Sequence, residues 1–281
     1  MAYAFRPQID RRAALAGLAF GLVAAPALAT ASPLKLRGRP MQGGFVLGQA
    51  APGAAVLLNG QAVTEVSPAG RFIVGFDRDE GPEAVLSVGD VVERLTIEKV
   101  AYDVQAINGL PPDQVEPSDP ALLSRIKAEL AKKQAALAHV EPADDYARGY
   151  ILPVENAIRT SRFGPQRILN GVPKTPHYGV DLAAPEGTPI RAPAGGRVVL
   201  AEPDMWFEGG LTLIDHGQGV IGMFLHQSRQ DVAVGQRVEQ AQVIGAVGHK
   251  GRATGPHLCW RQTWRGRHMD PSLMLGPAVR I

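Results

Sequence analysis

His177-Tyr178-Gly179-Val180-Asp181 sets a histidine and a carboxylate four residues apart around a glycine. A chain of that kind can bend back and offer both side chains to one metal ion. Farther along comes Gly255-Pro256-His257-Leu258-Cys259-Trp260. On a strand, residues two apart point to the same face. His257 and Cys259 should therefore look into one cleft, with Leu258 and Trp260 on the other side. Between the two lies Phe224-Leu225-His226, a histidine closing an apolar strand. Each unit also has an ordinary reading. The first is a surface loop, and His226 is a satisfied core histidine. Their neighbourhood gives them weight: six of the seven histidines, namely His177, His216, His226, His249, His257 and His268, and the single cysteine fall after Ile151. Imidazole is the commonest metal ligand and proton shuttle.

The sequence around these units reads as β-structure. Gly196-Arg197-Val198-Val199-Leu200, Leu211-Thr212-Leu213-Ile214 and Gln242-Val243-Ile244-Gly245 are short apolar runs punctuated by glycine and proline. No helical periodicity lasts more than a turn or two. Residues 34–103 are strand-like as well. Val56-Leu57-Leu58 and Ala62-Val63 flank Asn59-Gly60, the strongest short hairpin signal. They predict a small antiparallel β-sandwich with a binding or spacing role. Residues 104–150 form a Pro-rich and helical linker. Pro111, Pro112 and Pro117 precede a helix capped by Ser118 or Asp119, with Pro120 in its first turn, running to about His139. Residues 151–281 form an antiparallel β domain that carries the chemistry. The fold class is mainly β.

Composition narrows the function classes. The sequence is 45% hydrophobic and 20% charged, enough apolar material for a core and too little charge for a disordered chain. Residues 1–31 read as an export signal. Arg11-Arg12 precedes an apolar run from Ala13 to Ala25, and Ala27-Leu28-Ala29 is a small-x-small cleavage site. The paired arginines resemble a twin-arginine signal, and an ordinary secretory signal is the alternative. Beyond residue 29 the balance is 26 basic against 26 acidic side chains. That neutrality speaks against a nucleic-acid partner, which needs a basic footprint. No other stretch is long and apolar enough to cross a bilayer. The expected location is periplasmic or otherwise exported. One cysteine allows no internal disulfide.

From about Ile151 to Leu275 the chain resembles the lysostaphin/LytM family of zinc metallopeptidases. The resemblance rests on His177-Tyr178-Gly179-Val180-Asp181-Leu182-Ala183-Ala184-Pro185, Gly187-Thr188-Pro189-Ile190, Ala192-Pro193 and Gly196, Asp215-His216-Gly217, the strand to His226, Val234-Gly235-Gln236-Arg237-Val238, and Gly251-Arg252-Ala253-Thr254-Gly255-Pro256-His257. The upstream sandwich and helix look like the N-terminal part of proteobacterial members. The resemblance implies a zinc-dependent endopeptidase acting on peptide stems or cross-links of peptidoglycan. It makes His177 and Asp181 metal ligands, and His226 and His257 the catalytic pair beside the reacting water. The third ligand of the family is a histidine, and here that position is Cys259. The departure opens a rival reading: a degenerate, non-catalytic member that binds the wall or activates a cell-wall amidase.

A thiolate is a good zinc ligand. Together with Asp181 it cancels the dipositive charge of zinc, whereas a neutral histidine would leave one positive charge. The expectation is that zinc binds through His177, Asp181 and Cys259, with turnover weaker than in histidine-ligated relatives. Two other patterns carry no chemistry. Gly217-Gln218-Gly219-Val220-Ile221-Gly222 has the spacing of a dinucleotide loop but runs into a strand, which predicts a β-turn. Ser124-Arg125-Ile126-Lys127 lacks the partner motifs of a penicillin-binding enzyme.

Overall fold

The computed structural model describes residues 34–276, and the expected export signal lies outside them. Strands β1 (Leu36–Arg39), β2 (Phe45–Gln49), β3 (Ala55–Leu58), β4 (Gln61–Glu65), β5 (Arg71–Gly75), β6 (Glu83–Val88) and β7 (Val91–Thr96) form two small sheets, ordered β1-β2-β5 and β4-β3-β6-β7. The alternation that predicted strands is visible in β6, where Ala84, Leu86 and Val88 are buried and the residues between them are not. Asn59 and Gly60 take φ of 51° and 78°. This is the left-handed pair that a tight two-residue hairpin turn requires, here joining β3 to β4.

The following segment holds strand β8 (Val104–Ile107), the short helix α1 (Pro112–Val115) and the long helix α2 (Pro120–Leu137). Asp119 caps α2 by accepting from the Leu122 N–H at 2.8 Å. The helix stops short of His139, which instead turns in to place Nδ1 2.9 Å from the Asp215 carboxylate. Its apolar spacing buries little, and Leu123 and Leu130 stay 45% and 44% exposed. Ion pairs to the neighbouring sheet, Arg125 with Asp204 and Lys132 with Glu202, hold it alongside.

The rest is antiparallel except at one edge. Strands β9 (Ile158–Ser161), β10 (Gln166–Leu169), β11 (Val172–Pro173), β12 (Gly179–Ala183), β13 (Pro189–Arg191), β14 (Gly196–Met205), β15 (Gly209–Asp215), β16 (Val220–Gln230), β17 (Arg237–Val238), β18 (Val243–Val247), β19 (His257–Trp264) and β20 (Arg267–Met269) follow in order. The central path is β17-β14-β15-β16-β19-β12-β9, every pair antiparallel. Strand β10 pairs with β11 and, in parallel, with β8 from the connecting segment. One hydrophobic core runs from Phe45, Phe72 and Phe76 of the first sheets to Trp260, Trp264 and Met269 of the last. At Gly75 the sheets approach so closely that a Cβ would strike the Met269 sulfur. The described residues pack as one compact unit. Among the described residues no helix is long and apolar enough to cross a membrane.

Candidate metal centre

The site is built on the register of two neighbouring strands. In the β12–β19 pair Asp181 stands directly opposite Cys259, so both side chains leave the sheet on one face. His177 reaches the same point from just before β12. Gly179 permits that path: a Cβ there would stand 2.7 Å from the Arg261 side chain, 2.9 Å from the Trp260 carbonyl and 3.1 Å from the Cys259 sulfur. Two of these are closer than real Cβ contacts allow, which explains the glycine inside the His-x-x-x-Asp unit.

The donor atoms of His177, Asp181 and Cys259 all lie within 4.8 Å of one another. His177 Nε2 is 3.1 Å from Asp181 Oδ1 and 3.3 Å from Cys259 Sγ. The contact with Asp181 lacks the in-line geometry of a hydrogen bond, and Oδ1 is a buried acceptor with no donor. A buried carboxylate oxygen left unsatisfied beside an imidazole nitrogen and a sulfur is the arrangement a cation would complete. The donor set of one imidazole, one carboxylate and one thiol suits zinc and leaves a fourth position open. On the far side of the ring, His177 Nδ1 is 3.0 Å from Ser161 Oγ. With Nε2 kept for a metal, Nδ1 carries the proton and donates to that hydroxyl, which fixes the ring's orientation.

Charge around these groups is mostly positive. Burial alone would raise the Asp181 carboxyl, but His177, His257 and Arg167 together hold it below the usual carboxylate range. Arg167 Nη2 lies 3.5 Å from the second Asp181 oxygen. Burial pushes the Cys259 thiol up to about 12, while Arg261 pulls the other way. Arg261 Nε donates to the Cys259 sulfur at 3.3 Å. Among the described residues, Arg261 has no carboxylate within ion-pair distance.

Two further histidines stand beside the donors, with ring centroids 4.8 Å apart. His226 Nδ1 is 2.8 Å from the Lys250 carbonyl, and His257 Nδ1 is 2.8 Å from the Gly255 carbonyl. A carbonyl only accepts, so each Nδ1 donates and each neutral ring keeps its lone pair on Nε2. His257 Nε2 lies 3.8 Å from Asp181 Oδ1. His226 is buried, and burial followed by the nearby His257 pushes its pKa down to about 3. It takes a φ of 65° within β16, a left-handed conformation that a non-glycine residue adopts only at a cost. The ordinary reading of a relaxed core histidine does not account for that strain. Asp181, His226, His257 and Cys259 face a cavity of about 180 Å³. Gln105 and Ile107 of β8 and Leu110 line it from the other side.

The pattern of Peptidase family M23 matches residues 175–271. A solved Pseudomonas aeruginosa structure assigned to peptidase M23 is 31% identical, covering 85% of this chain and 96% of that one, with a TM-score of 0.65. This chain belongs to peptidase family M23. Among curated relatives, the peptidoglycan DD-endopeptidase ShyC of Vibrio cholerae is 41% identical over 114 residues, 40% of this chain and 26% of that protein. The DD-carboxypeptidase/endopeptidase Mpg of Neisseria meningitidis is 40% identical over 105 residues, 37% and 24% of the two chains. The chain thus spans about a quarter of the length of these relatives.

The structure brings together all five residues singled out from the sequence: His177, Asp181, Cys259, His226 and His257. The remaining histidines are elsewhere. His216 is fully buried, with Nδ1 donating to the Gly195 carbonyl at 2.7 Å. His249 faces Glu186 at 2.9 Å. His268 stacks on Tyr178 with centroids 3.8 Å apart. The glycine-spaced stretch from Gly217 is the turn between β15 and β16, with positive φ at Gly217, Gln218 and Gly219. Sequence reading missed Ser161, Arg167, Arg252, Arg261 and the β8 segment. Arg261 alone was within reach, since the alternation that paired His257 with Cys259 continues to it.

Proposed function

We propose that this protein is a zinc-dependent endopeptidase that hydrolyses peptide bonds in peptidoglycan, with His177, Asp181 and Cys259 holding the metal and His226 and His257 handling protons. The observation that carries the proposal is the buried, donor-less Asp181 Oδ1. It sits within one ligand sphere of His177 and Cys259 and beside two imidazoles whose Nε2 atoms are free. The M23 family and the names of the curated relatives support the substrate class.

When bound, the metal supplies Lewis acidity toward the scissile carbonyl and a lower pKa for water. The remaining chemistry belongs to the chain. One Nε2 lone pair, on His226 or His257, takes the proton released as water attacks the carbonyl carbon. The imidazolium so formed then offers that proton from Nε2 toward the tetrahedral centre. The proton then passes to the leaving amine, so one water is consumed for each acid and amine formed. The backbone carbonyls of Lys250 and Gly255 keep both rings in the tautomer this needs. His177, Asp181 and Cys259 would hold the metal, and Ser161 orients His177.

The test combines metal analysis of the purified protein with digestion of isolated peptidoglycan and mass analysis of the released fragments. Stoichiometric zinc with cleaved cross-links is the expected result. A second reading, a non-catalytic wall-binding or amidase-activating protein, is favoured by Cys259 at the third ligand position, with its thiol held up by burial. Zinc-free protein that still binds peptidoglycan would establish that reading instead. An export route fits the Arg11-Arg12 signal and the substrate's location. Changing both arginines to lysine should leave precursor in the cytoplasm, and normal export of that double variant would exclude the twin-arginine route.

A further inference from the structure

Ala136 is the one fully buried residue of α2, yet the charged side chains of the helix converge on a single turn. That turn, Trp206-Phe207-Glu208, joins β14 to β15. Glu129 Oε2 accepts from the Trp206 N–H at 2.9 Å. Lys133 pairs with the Glu208 carboxylate in a mostly buried contact. Arg125 Nε donates to the other Glu129 oxygen at 2.7 Å, and Arg125 Nη2 donates to the Asp204 carbonyl at 2.7 Å. Arg125, Glu129 and Lys133 stand four apart, which places them on one face of the helix.

The same turn carries the anchors of His226. The Glu208 carbonyl accepts from the His226 backbone N–H at 2.8 Å, and the Phe207 carbonyl accepts from the Arg252 N–H at 2.9 Å. The Lys250 carbonyl, acceptor for His226 Nδ1, lies against Gly209 at the end of the turn. A Cβ on Gly209 would stand 2.5 Å from the Lys250 carbonyl oxygen, and one on Gly251 would stand 2.6 Å from the Phe207 carbonyl oxygen. The loop that fixes the ring of His226 is thus packed, backbone to backbone, on the turn that fixes its main chain. His226 needs such holding, because a φ of 65° persists only where the surroundings over-determine it.

We propose that α2 positions the His226 ring through this turn, with Glu129 as the positioning residue and Lys133 as its support. What the ring does rests on the peptidase reading above; where it is held does not. Removing the Glu129 carboxylate frees the Trp206 N–H, and the turn can then relax away from β16. The Glu208 and Lys250 carbonyls move with it, and His226 Nδ1 loses the fixed acceptor that keeps the lone pair on Nε2. A displacement of about 1 Å at a reacting group costs up to roughly a hundredfold in rate. Among the described residues none of α2 lines the cavity at the metal donors, so substrate binding should be unaffected.

The test uses the zinc-loaded full chain with a soluble cross-linked peptidoglycan fragment as substrate, and follows the ring nitrogens of His226 by nitrogen NMR. In the wild type the two nitrogens should show well-separated shifts, a protonated Nδ1 and a bare Nε2. Glu129→Ala should lower kcat by roughly tenfold to a hundredfold with KM unchanged, and the two shifts should converge as the tautomers mix. Glu129→Gln keeps an oxygen for the Trp206 N–H and should retain most of kcat and of the shift separation. Lys132→Ala breaks an exposed pair with Glu202, on the same helix but off the turn, and should match the wild type. Unchanged shifts in Glu129→Ala would overturn the proposal, as would a raised KM at unchanged kcat, or an equal change in Lys132→Ala. Shifts that converge in Glu129→Ala, beside a wild type that hydrolyses nothing, would uphold the positioning and defeat the peptidase reading. Should Glu129→Ala lose the native circular dichroism spectrum, Lys133→Met carries the same comparison with Glu129 in place, and the same outcomes decide.

Discussion

Removing Arg261 should lower zinc affinity in this protein and raise it, or leave it unchanged, once Cys259 is replaced by histidine. Arg261 Nε donates to Cys259 Sγ at 3.3 Å, and among the described residues no carboxylate lies within ion-pair distance of the guanidinium. A thiolate and Asp181 together cancel the charge of the zinc they bind. The guanidinium on the sulfur restores the positive charge that a histidine ligand would have left. The weaker turnover expected from charge cancellation alone is therefore offset by a residue two positions along the same strand. A hydrogen bond to a charged group is worth about 1.5–3 kcal/mol, and 1.4 kcal/mol is tenfold in affinity. Arg261→Met should thus weaken zinc binding by roughly tenfold to a hundredfold in the Cys259 protein. In Cys259→His the same arginine faces a neutral ligand and a dication, and the guanidinium becomes a like charge. Zinc affinity is read by competition with a chromophoric chelator, in all four combinations of the two sites. Cobalt substitution adds a spectroscopic check, a thiolate charge-transfer band in the near ultraviolet present only with Cys259. Equal losses from Arg261→Met in both backgrounds would show that Arg261 is merely structural. A cobalt protein without the band would show that Cys259 is no ligand.

Other expectations are more direct. His226→Ala and His257→Ala should each lower kcat by roughly 10²–10⁴-fold with zinc content unchanged; loss of zinc from either would mean that a ligand has been taken for a proton carrier. Ser161→Ala removes the partner of His177 Nδ1 and should weaken zinc affinity by about tenfold or more, which equilibrium dialysis can check. His216 is buried against Gly195, Asp215, Asp145 and Arg237, and burial lowers its pKa below the ordinary histidine value. The neutral ring is the form the fold prefers. Its contribution is complete above about pH 6.5 and is lost as pH falls toward and through the lowered folded value. Thermal melts between pH 7.5 and 5 should therefore show a drop in Tm that His216→Gln reduces, and identical pH slopes would refute the assignment.

The parts of this molecule that could be read in advance are those fixed by local periodicity. Alternation along β19 placed His257 and Cys259 on one face, and the turn chemistry of Asn59-Gly60 placed the first hairpin. The His-x-x-x-Asp unit could be recognised from its spacing, whereas the reason for its glycine, crowding by Arg261 and Trp260 of the neighbouring strand, could not. What could not be read depends on pairings between distant segments. Strand β8 lies in a stretch whose prolines suggested a plain linker, and it becomes a strand only because β10 offers it a parallel edge. That pairing brings Gln105 and Ile107 to the wall of the cavity. Arg252 looked like one member of a glycine-rich loop motif, and its setting emerges only from the Phe207 ring beneath it and the two other arginines nearby. The strain at His226 was equally invisible, since Phe224-Leu225-His226 is an ordinary strand ending in sequence. Its left-handed φ arises where the β15–β16 register shifts, between Phe224 and Gln227. Cys259 shows both limits at once. Its identity marked a departure from the expected ligand, and strand alternation gave its direction. Whether the departure weakens the site depends on Arg261, whose charge counts because the fold sets it against that sulfur.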